Sequence, residues 1–303
     1  MRPPIRQTSV ILRHVLRGGH SLPLALSVSP SAPLPRRTLS TSAPSLLPPP
    51  EPSSSSVNPS EVSHFNALAS TWWDPHGPSR ILHLMNPLRH DFITTCLASS
   101  PTSPPVHGPL RYLDVGCGGG IFAESAARLP STSSVTAIDP TPNILTVARQ
   151  HATRDPALTR EKLTYMDATI ETLDAMAEVD KEFDIVTCFE VIEHVDYPAA
   201  FLGQCGSFVK PGGWLVLSTI ARTWTSWVTT NLLAEDILGI VPKGTHDWSK
   251  YINEAELRGY FAKRSEWGTP RVMGVVYVPG LGWKEVKGSE KIGNYFLGVQ
   301  KIG

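Results

Sequence analysis

The sequence predicts an α/β fold: a doubly wound, mostly parallel sheet of seven strands, closed by a C-terminal antiparallel hairpin. Three observations predict it. "LRYLDVGCGGGIFAESAARL" (Leu110 to Leu129) reads as strand, glycine turn and helix. Short apolar runs then alternate with helix-length segments, the signature of parallel strands with helices on both faces. Finally, Asp114, Asp139, Asp167 and Glu190 each stand at the C-terminal end of such a run. In open α/β sheets that is the edge where ligands bind.

The first strand is Leu110 to Val115, followed by a turn of Gly116, Gly118, Gly119 and Gly120. Glycines let the backbone approach a ligand and set a helix N-terminus beside it. A dinucleotide fingerprint would require Gly or Ala at position 121, where Ile121 stands. The pattern D-x-G-x-G-x-G, with Asp114 ahead of Gly116 and Gly118, favours S-adenosylmethionine (SAM) instead. SAM carries an ammonium and a sulfonium that an acid can attract. The competing reading of Asp114 is a turn or helix cap.

"SVTAID" is the second strand. Asp139 closes it 23 residues after Gly116, the distance at which a carboxylate can take both ribose hydroxyls. "KLTYMDAT" is the third strand, with Asp167 at its end where an adenine edge would lie, or as a turn residue. "FDIVTCFEVIEHV" is the fourth strand and the start of the next helix, and "FVKPGGWLVLST" a turn and the fifth strand. "RVMGVVYVP" and "NYFLGVQK" supply the closing hairpin.

Glu190, Glu193 and His194 come directly after the fourth strand. If a helix begins at Glu190, the three share one face at i, i+3 and i+4. They then suit one cation or a proton transfer; alternatively they solvate a helix start.

Of the 303 residues, 41% are hydrophobic and 18% charged, enough for one substantial core. Net charge is zero, but Arg2, Arg6, Arg13, Arg17, Arg36 and Arg37 all precede the first acid, Glu51. Setting those six aside leaves 21 basic against 27 acidic residues, a net −6. A body of that sign lacks the basic footprint of a nucleic-acid binder. The cysteines Cys96, Cys117, Cys188 and Cys205 form no C-x-x-C pair and are expected to be reduced thiols.

At 100° per residue, Arg2, Arg6, Arg13 and Arg17 fall on one arc, opposite Ile5, Ile11, Leu12, Val15 and Leu16, with Val10 the exception. An acid-free, Arg- and Ser-rich start of this kind is a mitochondrial transit peptide, residues 1–40, with processing near Leu39. Residues 41–59 are Pro/Ser-rich and read as a disordered linker, ahead of a domain from 60 to 303. Ser60 or Ser63 would cap its first helix.

"LDVGCGGG", "EVIEHV" and "FVKPGGW" resemble the class I SAM-dependent methyltransferases. "STWWDPHGP", "HLMNPLRHDFI" and "VPKGTHDW" narrow the likeness to the O-methyltransferases of ubiquinone biosynthesis, from about Glu61 onward. The resemblance implies SAM contacts at Arg89, Gly116, Asp139 and Phe189, and a divalent ion, usually Mg²⁺, on Glu190, Glu193 and His194. His246 of "GTHDW" would be a fourth ligand or a general base, and His194 would be ligand or base. The family's Asn before Arg222 is replaced by Ala221. Its substrates are catechol-type rings on polyprenyl tails, methylated on oxygen twice. A peripheral place on the matrix side of the mitochondrial inner membrane, in a multi-enzyme complex, is implied by the same likeness. Thr223 to Val241, with Trp224, Trp227 and five Leu or Ile residues, is then a lid or membrane-facing helix, or else an ordinary buried one. The rival functions are an RNA ribose 2′-O-methyltransferase, which the acidic body disfavours, and a SAM-binding scaffold.

Overall fold

β4 (Phe183–Phe189) is buried at every position, the pattern of a central parallel strand covered on both faces. The computed structural model describes residues 55–99, 108–176, 181–223 and 250–302. Beside β4 run β1 (Leu110–Val115) and β5 (Val209–Ile220), and beyond β1 lie β2 (Thr132–Asp139) and β3 (Leu163–Asp167), all parallel. The other half of the sheet comprises β6 (Arg271–Val278), β7 (Gly282–Glu285) and β8 (Asn294–Gln300). The order is β3-β2-β1-β4-β5-β8-β6-β7. β8 is antiparallel to both β5 and β6, as the closing hairpin requires.

The sheet has eight strands rather than seven. The addition is β7, which turns back at Pro279–Gly280 and pairs with β6 at the edge. Alternate residues of the strands face two separate cores. Leu113, Val115, Val186 and Leu217 pack to one side, and Tyr112, Ile185, Trp214 and Val216 to the other.

Helices α1 (Pro59–Leu68), α2 (Arg80–Ala98), α3 (Ile121–Ala127), α4 (Pro142–Ala152), α5 (Ile170–Ala175), α6 (Pro198–Ser207) and α7 (Glu254–Ala262) complete the described fold. The cap of α1 is Asn58, not a serine: its Oδ1 accepts from the Ser60 N–H at 2.9 Å, with Pro59 at the first helical position. Structure also begins earlier than residue 60. Ser56 donates its N–H and hydroxyl to Glu171 Oε1, at 3.0 and 2.5 Å, and Val57 bridges to Val195. These ties lay α1 across the carboxyl edge of the sheet. The leader, most of the linker, the apolar stretch from Trp224 to Val241 and His246 lie outside the described residues.

Candidate active site

A cavity of about 660 Å³ opens along that edge. Arg89, Asp114, Gly116, Gly118, Asp139, Phe189, Glu190, Glu193 and His194 all line it. Asp167 does not. It ends β3 in register with Asp139 but is exposed, and Ala168 and Thr169 after it take the wall position.

The glycine loop is held from below. Gly116 and Cys117 donate their N–H groups to the Ile138 carbonyl, at 2.9 and 3.0 Å. Asp139 Oδ2 accepts from the Gly118 N–H and its Oδ1 from the Thr141 N–H, each at 2.9 Å. The acid expected to meet ribose is thus first a clamp on the loop, with lone pairs still open towards the cavity. Gly116 has φ 69°, and a Cβ there would come within 2.5 Å of Val191.

Asp114 and Arg89 face the same space from β1 and α2. Asp114 Oδ1 accepts from Thr187 Oγ1 at 2.7 Å, and its Oδ2 is buried without a partner among the described residues. Burial pushes its pKa up to about 7, against the pull of Thr187 and Arg89. Arg89 is 4% exposed, donates from Nη1 to Asn86 Oδ1 at 3.1 Å and packs over Phe189 at 4.8 Å. Its Nε is a second buried atom without a partner there.

The acidic cluster departs from the helical expectation. Glu190 has φ 57°, a left-handed conformation uncommon outside glycine, and the single 3₁₀ turn begins only at Ile192. The three residues therefore do not share a helical face. The Glu190 N–H is fixed by the Ser218 carbonyl and hydroxyl, both at 3.1 Å, while its Oε1 is buried and unpartnered among the described residues. Glu193 is 3% exposed and accepts from Thr219 Oγ1 at 3.0 Å. Burial, and then repulsion from Glu190, raise its pKa to about 7. His194 Nδ1 lies 3.0 Å from Glu61 Oε2 on α1, and Lys250 reaches Glu61 at 3.4 Å. Burial lowers the proton affinity of His194, but the Glu61 bond and the neighbouring carboxylates outweigh it, so the net shift is upward. Among the described residues, no three His, Cys, Asp or Glu side chains form a ready-made metal cage.

Sequence reasoning missed Glu61, Thr187 and Thr219. Thr187 and Thr219 carried a faint signal as hydroxyls in otherwise apolar strands. Glu61 carried none, being 133 positions from its partner.

A family model described as a methyltransferase domain matches residues 81–264. The plantazolicin methyltransferase, solved with S-adenosylhomocysteine (SAH), shares the fold at a TM-score of 0.52 and 14% identity, over 80% of this chain and 97% of that one. Two mitochondrial ubiquinone biosynthesis O-methyltransferases are nearer in sequence. That of Candida albicans is 40% identical, over 82% of this chain and 86% of its own. That of Schizosaccharomyces pombe is 45% identical, over 81% and 87%. The chain belongs to the ubiquinone biosynthesis O-methyltransferase family.

Asp114 gives the site a pH dependence. Its folded pKa lies above the unfolded value, so its contribution to stability is present below about pH 4 and is lost as pH rises through about 7. If Asp114 takes the ammonium of SAM or SAH, as the sequence leads one to expect, that charge favours the ionised form and reverses the shift. SAH should bind more tightly at pH 8 than at pH 6, with proton release visible in calorimetry across buffers of different ionisation enthalpy. In Asp114→Asn the proton release should vanish.

Proposed function

We propose that this chain transfers the SAM methyl group to catechol-type hydroxyls of polyprenylated benzoate and benzoquinol intermediates, at both O-methylation steps of ubiquinone biosynthesis. One observation carries this reading: a single cavity joins the glycine loop, the Glu190–Glu193–His194 cluster and an apolar wall. That wall includes Phe65, Leu68, Ile81, Leu82, Val276 and Trp283. β6 runs parallel to β5, so its C-terminal end opens on the same edge. From β1 to β6 the crevice crosses four strand spacings, roughly 19 Å at about 4.8 Å each. That is longer than a ring needs and leaves an apolar path for a tail.

The donor chemistry fits the groups proposed. The open atoms of Asp114 and Arg89 suit an ammonium and a carboxylate. Two mutually repelling carboxylates, Glu193 buried and Glu190 half-buried with one unpartnered oxygen, suit a hard cation such as Mg²⁺ held by one or two acids. Bound by Glu190 and Glu193, it would lower the pKa of a catechol hydroxyl and fix both oxygens. His194 is the proton acceptor on this reading. Glu61 takes the Nδ1–H, which leaves Nε2 as the basic nitrogen and increases its proton affinity. Methyl transfer then depends on alignment of hydroxyl and sulfonium.

The same proposal puts the chain at the matrix face of the mitochondrial inner membrane, as a peripheral member of a biosynthetic complex. The basic leader and the mitochondrial relatives support the compartment. Among the described residues no helix is long and apolar enough to cross a membrane.

The test is methyl transfer from labelled SAM to a short-tailed dihydroxybenzoate, with and without EDTA. Product is expected without EDTA, at a lower KM than for the tail-free acid, and little with it. Absence of transfer to any catechol would reject the proposal.

A further inference from the structure

Trp72 and Trp73 are adjacent in sequence and both lie against the glycine loop, yet their N–H groups are treated differently. Trp73 donates from Nε1 to the Gly119 carbonyl at 2.8 Å and stacks on His151 with ring centroids 3.4 Å apart. Trp72 lines the ligand cavity, and its Nε1 is buried with no partner among the described residues. A buried donor left open is costly, so it calls for a partner such as a water, an ion or a ligand.

The ring is placed with care for a residue serving only to fill space. A Cβ on Gly118 would strike Trp72 Cζ2. One on Gly119 would strike Cδ1 and stand 2.6 Å from Nε1. The indole therefore rests on bare backbone at the point where the loop meets the cavity. The Trp72 carbonyl lies 3.1 Å from His83 Nε2, and Phe65 meets the ring edge-on at 6.4 Å. The first contact anchors the backbone of Trp72, and rotation of the indole away from the loop would cost the second.

Three residues that line the cavity beside the loop thus each carry a buried polar atom without a partner among the described residues: Trp72 Nε1, Arg89 Nε and Asp114 Oδ2. Two are donors and one is an acceptor. An α-amino-acid zwitterion has the matching inventory, a carboxylate to take two N–H groups and an ammonium to give one. We propose that the Trp72 indole N–H binds the carboxylate of the methionyl group of SAM, alongside Arg89 and opposite Asp114. The inference rests on the reading of this cavity as the SAM site. It adds to that site a neutral donor carried by the segment between α1 and α2. Binding of SAM then fastens that segment to the loop through Trp72 as well as Trp73.

The test uses two ligands that differ only at the carboxylate: SAH and its decarboxylated analogue S-adenosyl-3-thiopropylamine. Both are titrated calorimetrically into wild type and Trp72→Phe. Phenylalanine should weaken SAH by about tenfold, as expected for a lost bond to a charged acceptor, and the analogue by less than about twofold. Replacing Trp72 with 3-benzothienylalanine, which keeps the ring shape and puts sulfur where the N–H was, should give the same selective loss. Equal losses for the two ligands, or none for SAH, would overturn the proposal. Failure of wild type to bind SAH would instead remove the SAM reading, and the inference with it.

Discussion

Asp139→Ala lowers kcat/KM for SAM by about 100-fold or more, the equivalent of about 3 kcal/mol, in steady-state assays at limiting SAM. Both carboxylate oxygens hold backbone: Oδ2 the Gly118 N–H and Oδ1 the Thr141 N–H. Truncation leaves two donors without their acceptor at a site where the side chain was 7% exposed. It also removes the group proposed to take the ribose hydroxyls. The loop loses its shape and the ligand a contact, so the two losses reinforce each other. Asp139→Asn keeps one acceptor oxygen and should fall between wild type and alanine. An unchanged KM for SAM in the alanine variant would show that the loop holds itself.

Glu193→Gln separates catalysis from stability. Methyl transfer should fall at least about 100-fold, because the proposed cation site loses one of its two acids. SAH affinity should stay within about twofold, because the amino-acid end of SAM is met elsewhere. The melting temperature should rise. Glu193 shares a buried site with Glu190, and its carboxyl is raised to about 7 by burial and by that neighbour. A neutral amide can preserve the Thr219 bond without the repulsion. The folded pKa is above the unfolded one, so the wild type loses stability as pH rises through about 7. The stability gained by Glu193→Gln should therefore be larger at pH 8 than at pH 5, as read by thermal melts at the two values. Glu190→Ala should share the loss of transfer, and residual activity in both variants should no longer respond to EDTA. Full activity in either, without added Mg²⁺, would defeat the two-carboxylate assignment.

How much of the fold and site was legible in the sequence depended on the kind of signal. Parallel strands buried on both faces announce themselves as apolar runs. An acid ending such a run is easily seen, so the strand ends carrying Asp114, Asp139 and Glu190 were legible. β7 was not. "GWKE" is four residues long, half exposed and opens with glycine, a combination no periodicity detects. The conformation of Glu190 was equally silent. The positive φ of Glu190 accompanies bonds from its N–H to the carbonyl and hydroxyl of Ser218 on the neighbouring strand, a tertiary arrangement that no local preference signals. With Glu190 in that conformation no helix begins there. Glu61 and Trp72 belong to a third kind. Each sat in a recognisable helical or aromatic stretch, but Glu61 meets His194, 133 positions away, and Trp72 meets the glycine loop, only in the folded chain. Asp167 shows the converse, since a strand-end acid one position from the wall is indistinguishable in sequence from one on it.

The place of β8 has a consequence for how the chain comes into being. β8 comes after β5 and β6 in the sequence yet lies between them. Until residue 300 has been made, the sheet exists as two pieces with unpaired inner edges. A ribosome releasing this chain from its N-terminus cannot deliver a finished domain piecemeal. The same arrangement makes any truncation that removes β8 far more damaging than its seven residues suggest, because it exposes two edges at once and invites their pairing with other chains.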